Sequence, residues 1–191
     1  MRLDGGHPAL ELVNTIYGQV GGPVEYDVLG APDDLVTLAR RLGLAAPETP
    51  PSADALADAR ALRGVLDALL RAHVRGDAPP RDALASLADA ARAAYAAGRL
   101  APQDGALRWT WPTDDGRAPV HRLAHAAVVL LENEAELARL HQCAGCCWLF
   151  VDHSRGKGRR WCSMADCGTE AKKRRYVTRR RARRAGAGAG D

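Results

Sequence analysis

Cys143-Ala144-Gly145-Cys146 and, after fifteen intervening residues, Cys162-Ser163-Met164-Ala165-Asp166-Cys167 set four cysteines in the pattern C-x2-C-x15-C-x4-C. Two short-range pairs joined by a loop is the spacing of a closed tetrahedral zinc site. Zinc takes thiolates at about 2.3 Å, so each close pair grips the ion from one turn and the segment between them closes the shell. Four thiolates leave no open position for water, and the zinc is expected to be structural rather than catalytic. Disulfides are the competing use of such cysteines. Met1-Arg2-Leu3-Asp4 leads straight into polar, Gly-rich sequence with no export signal. The expectation is therefore a cytoplasmic chain in a reducing compartment, where this spacing means metal. Cys147 directly follows Cys146 and is expected to point away from the ion and pack.

Charge separates the same region from the rest. Residues 1–140 hold 14 Arg and no Lys against 19 acidic residues, whereas residues 141–191 hold 13 Arg and Lys against 4 acidic residues. An acidic body with a basic end points to a polyanionic partner, most simply DNA. The candidate contacts are Arg155, Lys157, Arg159 and Arg160 ahead of the second cysteine pair, and Lys172, Lys173, Arg175 and Arg179 behind it. Most such contacts go to phosphate, which supplies affinity and register rather than sequence reading. No apolar run approaches the roughly 20 residues that span a bilayer, which argues against a membrane partner.

Ahead of the cysteines the chain reads as mostly helical. Leu35, Leu38, Ala39 and Leu42 mark one short helix, with Asp33 or Asp34 to cap it. Ser52 caps a longer one, whose apolar seam runs from Leu56 through Leu70 until Gly76 and Pro79-Pro80 stop it. A third runs from Arg81 to Ala97, with Leu84, Leu87, Ala91 and Tyr95 inward. Ala106 to Trp111 alternates as a strand, with residues 99–103 or the N-terminal segment as its partner. A long helix is expected from Pro119 to His141, leading straight into Cys143. The block Ala9 to Ile16 fits a short helix or a buried strand, and its Asn14 either bonds backbone or lines a ligand pocket. His121 and His125 stand one helical turn apart, but no further ligands at recognisable spacing accompany them. His141 is a candidate hydrogen-bond partner for a thiolate.

Within the cysteine region, Trp148 to Asp152 and Arg159 to Cys162 are expected to form a β-hairpin around a Gly-rich loop. Trp148, Phe150 and Trp161 would form its small core, and a basic helix would start near Thr169. Knuckle, hairpin and helix in that order make a treble-clef-like zinc module. The fold class is α+β: a mostly helical front domain with a short sheet (1–140), the zinc module with its basic helix (141–184), and a disordered tail (185–191).

The motifs Cys143-x-x-Cys146, Trp148-Leu149-Phe150, Asp152-x-Ser154-Arg155, Arg159-Arg160-Trp161-Cys162-Ser163-Met164 and Cys167-Gly168 resemble the CGNR zinc-finger family. Val13-Asn14-Thr15 and Asp33-Asp34-Leu35 are similar to the ABATE-type domain that precedes such fingers. The resemblance covers nearly the whole chain and implies a bacterial, stress-related transcription regulator. It departs from the family at one point: Thr169 and Glu170 stand where the signature has Asn and Arg.

The reading is a DNA-binding regulator with structural zinc, whose front domain senses a small-molecule effector or forms a homodimer. Two alternatives stay open at this point. One is a pathway enzyme or small-molecule-binding protein using a front-domain pocket; the other is a protein- or RNA-interaction module. Against an enzyme, the sequence contains no nucleophile–base set, phosphate loop or open metal triad.

Overall fold

The ambiguous N-terminal block is a helix. Pro8 occupies the first turn, where no N–H is needed, and His7 Nδ1 accepts the Ala9 N–H at 3.3 Å, so α1 runs Pro8–Val13. The computed structural model describes residues 2–19, 21–44, 46–156 and 158–187, with 182–187 by their backbone alone. A short antiparallel hairpin follows, β1 (Ile16–Gly18) with β2 (Val24–Asp27). In α2 (Pro32–Arg41) the Asp34 carboxylate reaches back to the N–H groups of Gly30 (2.9 Å) and Ala31 (2.7 Å).

Ser52 Oγ accepts from Ala55 N–H at 3.2 Å and starts α3 (Ala53–Arg75), which Gly76 ends at φ +72°. Against α3 pack α4 (Arg81–Ala97) and α5 (Ala118–Leu131). Leu62, Leu66 and Leu70 of α3, Leu87 and Ala94 of α4, Leu123 and Leu130 of α5 and Leu10 of α1 form one core. Leu84 is a correction to the sequence reading: it is 45% exposed. The buried seam of α4 runs through Leu87 and Ala94, two turns apart, and Leu84 lies about 60° off it at 3.6 residues per turn.

The hairpin β3 (Arg99–Gln103) with β4 (Ala106–Thr110) takes the first of the two expected pairings. Its Asp104-Gly105 turn has both φ positive (51° and 77°), as a two-residue hairpin with right-handed strand twist requires. The alternation ends on Trp111, which is buried and donates its Nε1–H to Ala94 O at 2.7 Å. Trp109 is half-buried against Tyr95.

The long helix expected to reach His141 ends at Leu131. Asn133 adopts an extended backbone (φ −95°, ψ 93°) and its side chain accepts from Glu136 N–H, which opens the separate turn α6 (Glu134–Leu137). Asn favours such a cap over a helix interior. Residues Leu140–Gln142 are then a strand, β5, paired antiparallel with β6 (Leu149–Val151). The hairpin expected after the first cysteine pair thus forms around it, with the Cys143–Cys146 knuckle as its connection. Arg159 to Cys162 is not a strand. The chain then makes a π turn (Met164–Gly168) and enters α7 (Thr169–Ala187). The helix therefore continues three residues past 184, and residues 188–191 of the expected tail lie outside the described residues. Among the described residues no helix is long and apolar enough to cross a membrane.

Strand β6 is the wall between the two halves. Every residue of it is buried, in alternation: Leu149 and Val151 join the front core, while Phe150 and the preceding Trp148 join the cysteine cluster. Burying side chains of this size is worth about 1.5–3 kcal/mol each. The β6 edge away from β5 is also satisfied from the front. Asn14 Nδ2 donates to Leu149 O at 2.8 Å, Leu149 N–H donates to Asn14 Oδ1 at 3.0 Å, and Val151 N–H donates to Gly5 O at 2.8 Å. Asn14 therefore acts as one residue of a neighbouring strand.

Candidate metal centre and nucleic-acid interface

All four expected ligands converge. The Sγ atoms of Cys143, Cys146, Cys162 and Cys167 lie within 4.8 Å of one another, and the Cys146–Cys162 and Cys162–Cys167 separations are both 3.7 Å. A tetrahedron with Zn–S bonds of about 2.3 Å has edges of about 3.8 Å, so this spacing fits zinc. Cys143 and Cys162 are buried and the other two half-buried. The close approach explains the knuckle sequence. A Cβ on Gly145 would stand 3.1 Å from Cys167 Cβ and 3.3 Å from the Trp161 ring, so any side chain there would push on the cluster.

The electrostatics ask for a cation. Hydrogen bonds from the Cys146 and Cys162 thiols and from the N–H groups of Cys162 (3.3 Å) and Gly145 (3.4 Å) hold the Cys143 thiol low. The same contacts with Cys143 hold Cys146 and Cys162 high, and burial raises Cys167. Only one thiolate is comfortable among four packed sulfurs; a divalent cation makes four so. Zinc would supply that charge and cross-link four chain positions, and four thiolates would leave it no open coordination position.

Cys147 points away from the cluster, as expected. Its N–H donates to Gly18 O at 3.1 Å, its thiol donates to Ile16 O at 3.4 Å, and its carbonyl accepts from Arg71 Nη2 at 2.7 Å. Burial pushes its thiol up, away from reactivity. His141 is exposed and lies 5.9 Å from the Phe150 ring. His125 sits beside Tyr95, whose hydroxyl is 3.2 Å from Nδ1, and His121 faces Asp115 at 3.6 Å. Among the described residues the four cysteines form the one group that could hold a metal.

The loop before the second cysteine pair is organised by Asp152. Its carboxylate accepts from the N–H groups of Ser154 (3.0 Å) and Arg159 (2.8 Å), which holds the carboxyl down at about 2. Arg155 and Arg160 are exposed, and Arg160 stacks on Trp161 at 5.3 Å. Trp161 in turn packs near Gly168, so Arg160 stands at the start of α7. Arg159 is turned inward. Its guanidinium donates to Cys162 O and to Asp4 O and lies 4.6 Å over the Phe150 ring, which engages it in the fold. Lys157 lies outside the described residues.

Helix α7 spans about 28 Å at 1.5 Å per residue and packs chiefly on the π turn. Lys172 to Arg181 are exposed without exception. Lys172, Arg175 and Arg179 share one face, and Tyr176, 65% exposed, sits among them. Sequence reasoning missed Tyr176; an aromatic inside a run of cations was the available signal. Thr169 Oγ1 donates to Met164 O at 3.0 Å, and Glu170 accepts from Lys173 Nζ at 2.7 Å, so both departing residues are used locally.

Two family models match the chain. Residues 6–134 match the ABATE model, described as "Putative stress-induced transcription regulator", and residues 139–180 match the CGNR zinc finger. No curated protein matches significantly.

Proposed function

The chain belongs to the ABATE family and ends in a CGNR zinc finger, and on that premise we propose that it is a cytoplasmic regulator that binds DNA through α7. The observation that carries the reading is the helix itself. Lys172, Lys173, Arg174, Arg175, Arg179, Arg180 and Arg181 project from a solvated rod anchored at the fourth zinc ligand, with Glu170 the one acidic residue in it. A major groove about 12 Å wide admits such a rod. Lys172, Arg175 and Arg179 would meet phosphate or guanine from one face, while Lys173 and Arg180 reach the opposite strand. Arg160 and Arg155 extend the cationic surface beyond the helix start. Zinc has a structural role, fixing where α7 leaves the body. The body of residues 1–140 would then supply the regulatory input.

The test is selection from a random DNA pool by the zinc-loaded chain, followed by affinity against salt. The expected result is an enriched common sequence, with log K falling by about 0.9 per log salt for each phosphate contact. The triple variant Lys172→Ala, Arg175→Ala, Arg179→Ala is expected to flatten that slope by up to about 3. A wild-type chain that enriches no sequence, or a triple variant with unchanged affinity and slope, refutes the reading.

A further inference from the structure

A cavity of about 620 Å³ opens where the β1–β2 hairpin, the middle of α3 and the zinc knuckle meet. Its floor is Gly64, the midpoint of a 23-residue helix. Glycine weakens a helix interior, so its presence asks for a reason. Packing does not supply one, because a Cβ at Gly64 would meet nothing within 4 Å. What the glycine provides is a bare strip of helix against which a flat group can lie.

The walls give that group its charge and shape. Four arginines of α3 line the cavity: Arg60, Arg63, Arg71 and Arg75. Arg63 is held by both oxygens of Asp27 (2.6 and 2.7 Å), Arg71 by Asp67 (2.8 and 2.9 Å) and Arg75 by Asp77 (2.6 Å). Arg60 differs. Its hydrogen bonds go to the carbonyls of Leu29 and Gly30, which orient the guanidinium, and it shares the Asp27 carboxylate electrostatically with Arg63 rather than holding a carboxylate of its own. Four cations against three carboxylates leave one positive charge beside an open apolar floor. Tyr17 adds an aromatic wall, itself braced edge-on by Trp148 at 4.9 Å.

We propose that this cavity binds a flat aromatic monocarboxylate, with its ring on Gly64 against Tyr17 and its carboxylate on Arg60, and that occupancy tunes the zinc module. The coupling runs through Cys147, which also lines the cavity. Its three hydrogen bonds to Arg71, Gly18 and Ile16 tie the knuckle to the cavity walls. A ligand that shifts Arg71 or β1 therefore bears on the element that aims α7. The site stands on its own geometry; its effect on DNA rests on the function proposed above.

The probes are benzoate and 2-naphthoate, titrated calorimetrically into the zinc-loaded full chain, with neutral 2-naphthamide and inorganic phosphate alongside. The expected result is 2-naphthoate binding at least ten-fold tighter than either control. Gly64→Leu, which fills the floor, and Arg60→Gln, which removes the charge, should each weaken it ten-fold or more. Gly64→Ala should give an intermediate loss, and it guards against a Leu variant that misfolds. Saturating 2-naphthoate should change DNA affinity at least five-fold in the wild type and leave Gly64→Leu unchanged. If neither carboxylate binds, if the controls bind as tightly, or if Gly64→Ala and Gly64→Leu bind like wild type, the site is overturned. Carboxylate binding with unchanged DNA affinity overturns the coupling. Carboxylate binding by a chain that binds no DNA keeps the site and refutes the DNA reading, and DNA binding with no carboxylate binding does the reverse.

Discussion

Replacing Asn14 by alanine should cost far more than the loss of one small polar side chain. Asn14 is 3% exposed and makes both of its amide hydrogen bonds to the backbone of Leu149, 135 residues away. Alanine leaves a buried N–H and a buried C=O without partners. Each orphan costs about 1–3 kcal/mol, which gives about 2–6 kcal/mol for the pair. For a chain of this size that lowers Tm by roughly 5–20 °C, at about 2–4 °C per kcal/mol. Urea unfolding should show the midpoint falling with the slope unchanged. The second readout is zinc release to a chelator. Leu149 sits between the front core and the cysteine cluster, so weakening its edge should also speed metal loss. Asn14→Asp should not rescue, since a carboxylate accepts from Leu149 N–H but repels Leu149 O. A variant within 0.5 kcal/mol of wild type, with unchanged zinc release, would refute the claim that this side chain staples the halves together.

Two further outcomes follow from the same architecture. Chelating the zinc should lower the stability of the whole chain in a single transition, because Leu140, Leu149 and Val151 belong to the front core; calorimetry showing an unaltered front transition would contradict this. Glu11 is buried, accepts from Gly5 and Gly6 N–H, has one oxygen without a partner, and burial pushes its carboxyl up from 4.5 to about 7. The stability tied to its protonation is fully present below about 4.5 and is lost as pH rises through about 7, a span worth up to about 3 kcal/mol. Glu11→Gln should remove that slope and stabilise the chain at pH 8; an unchanged pH profile of urea midpoints would refute it.

The cysteine spacing singled out the four residues whose sulfurs converge, because cysteines at x2 and x4 intervals have few other uses. Ser52 and Gly76 bounded α3 correctly because capping and positive φ are local chemistry. What failed was nonlocal. Leu140–Gln142 carries no strand signal of its own; it is a strand because Leu149–Val151 lies opposite and both are pressed on the front core. Asn133 as a helix break was a local signal, overlooked between the apolar positions Leu131 and Leu137. The inward turn of Arg159 was not legible either, since its partners Asp4 and Phe150 are brought to it only by the fold. Gly64 was a legible clue, an isolated glycine in a helical pattern, but its meaning needed the empty space above it.

Helix α7 raises the opposite problem, a local sequence that argues against the element it forms. Cations at i and i+4, such as Arg175 and Arg179, cost a few tenths of a kcal/mol each, and a helix polar on every face gains nothing from burial. Its start is what holds it: Cys167 in the four-cysteine cluster, the π turn, Thr169 on Met164 O, and the Glu170–Lys173 pair. Seen this way, the replacement of the family's Arg by Glu170 has a structural use. A carboxylate in the first turn suits the helix dipole and relieves a run of like charge. It also removes a cation from the end nearest the four cysteines, so the proposed contact with phosphate would begin at Lys172 and Arg160. On the proposed reading, phosphates along the outer face would do for the rest of the helix what Glu170 does for its first turn, and the charge density that destabilises α7 alone would be the source of an affinity for DNA.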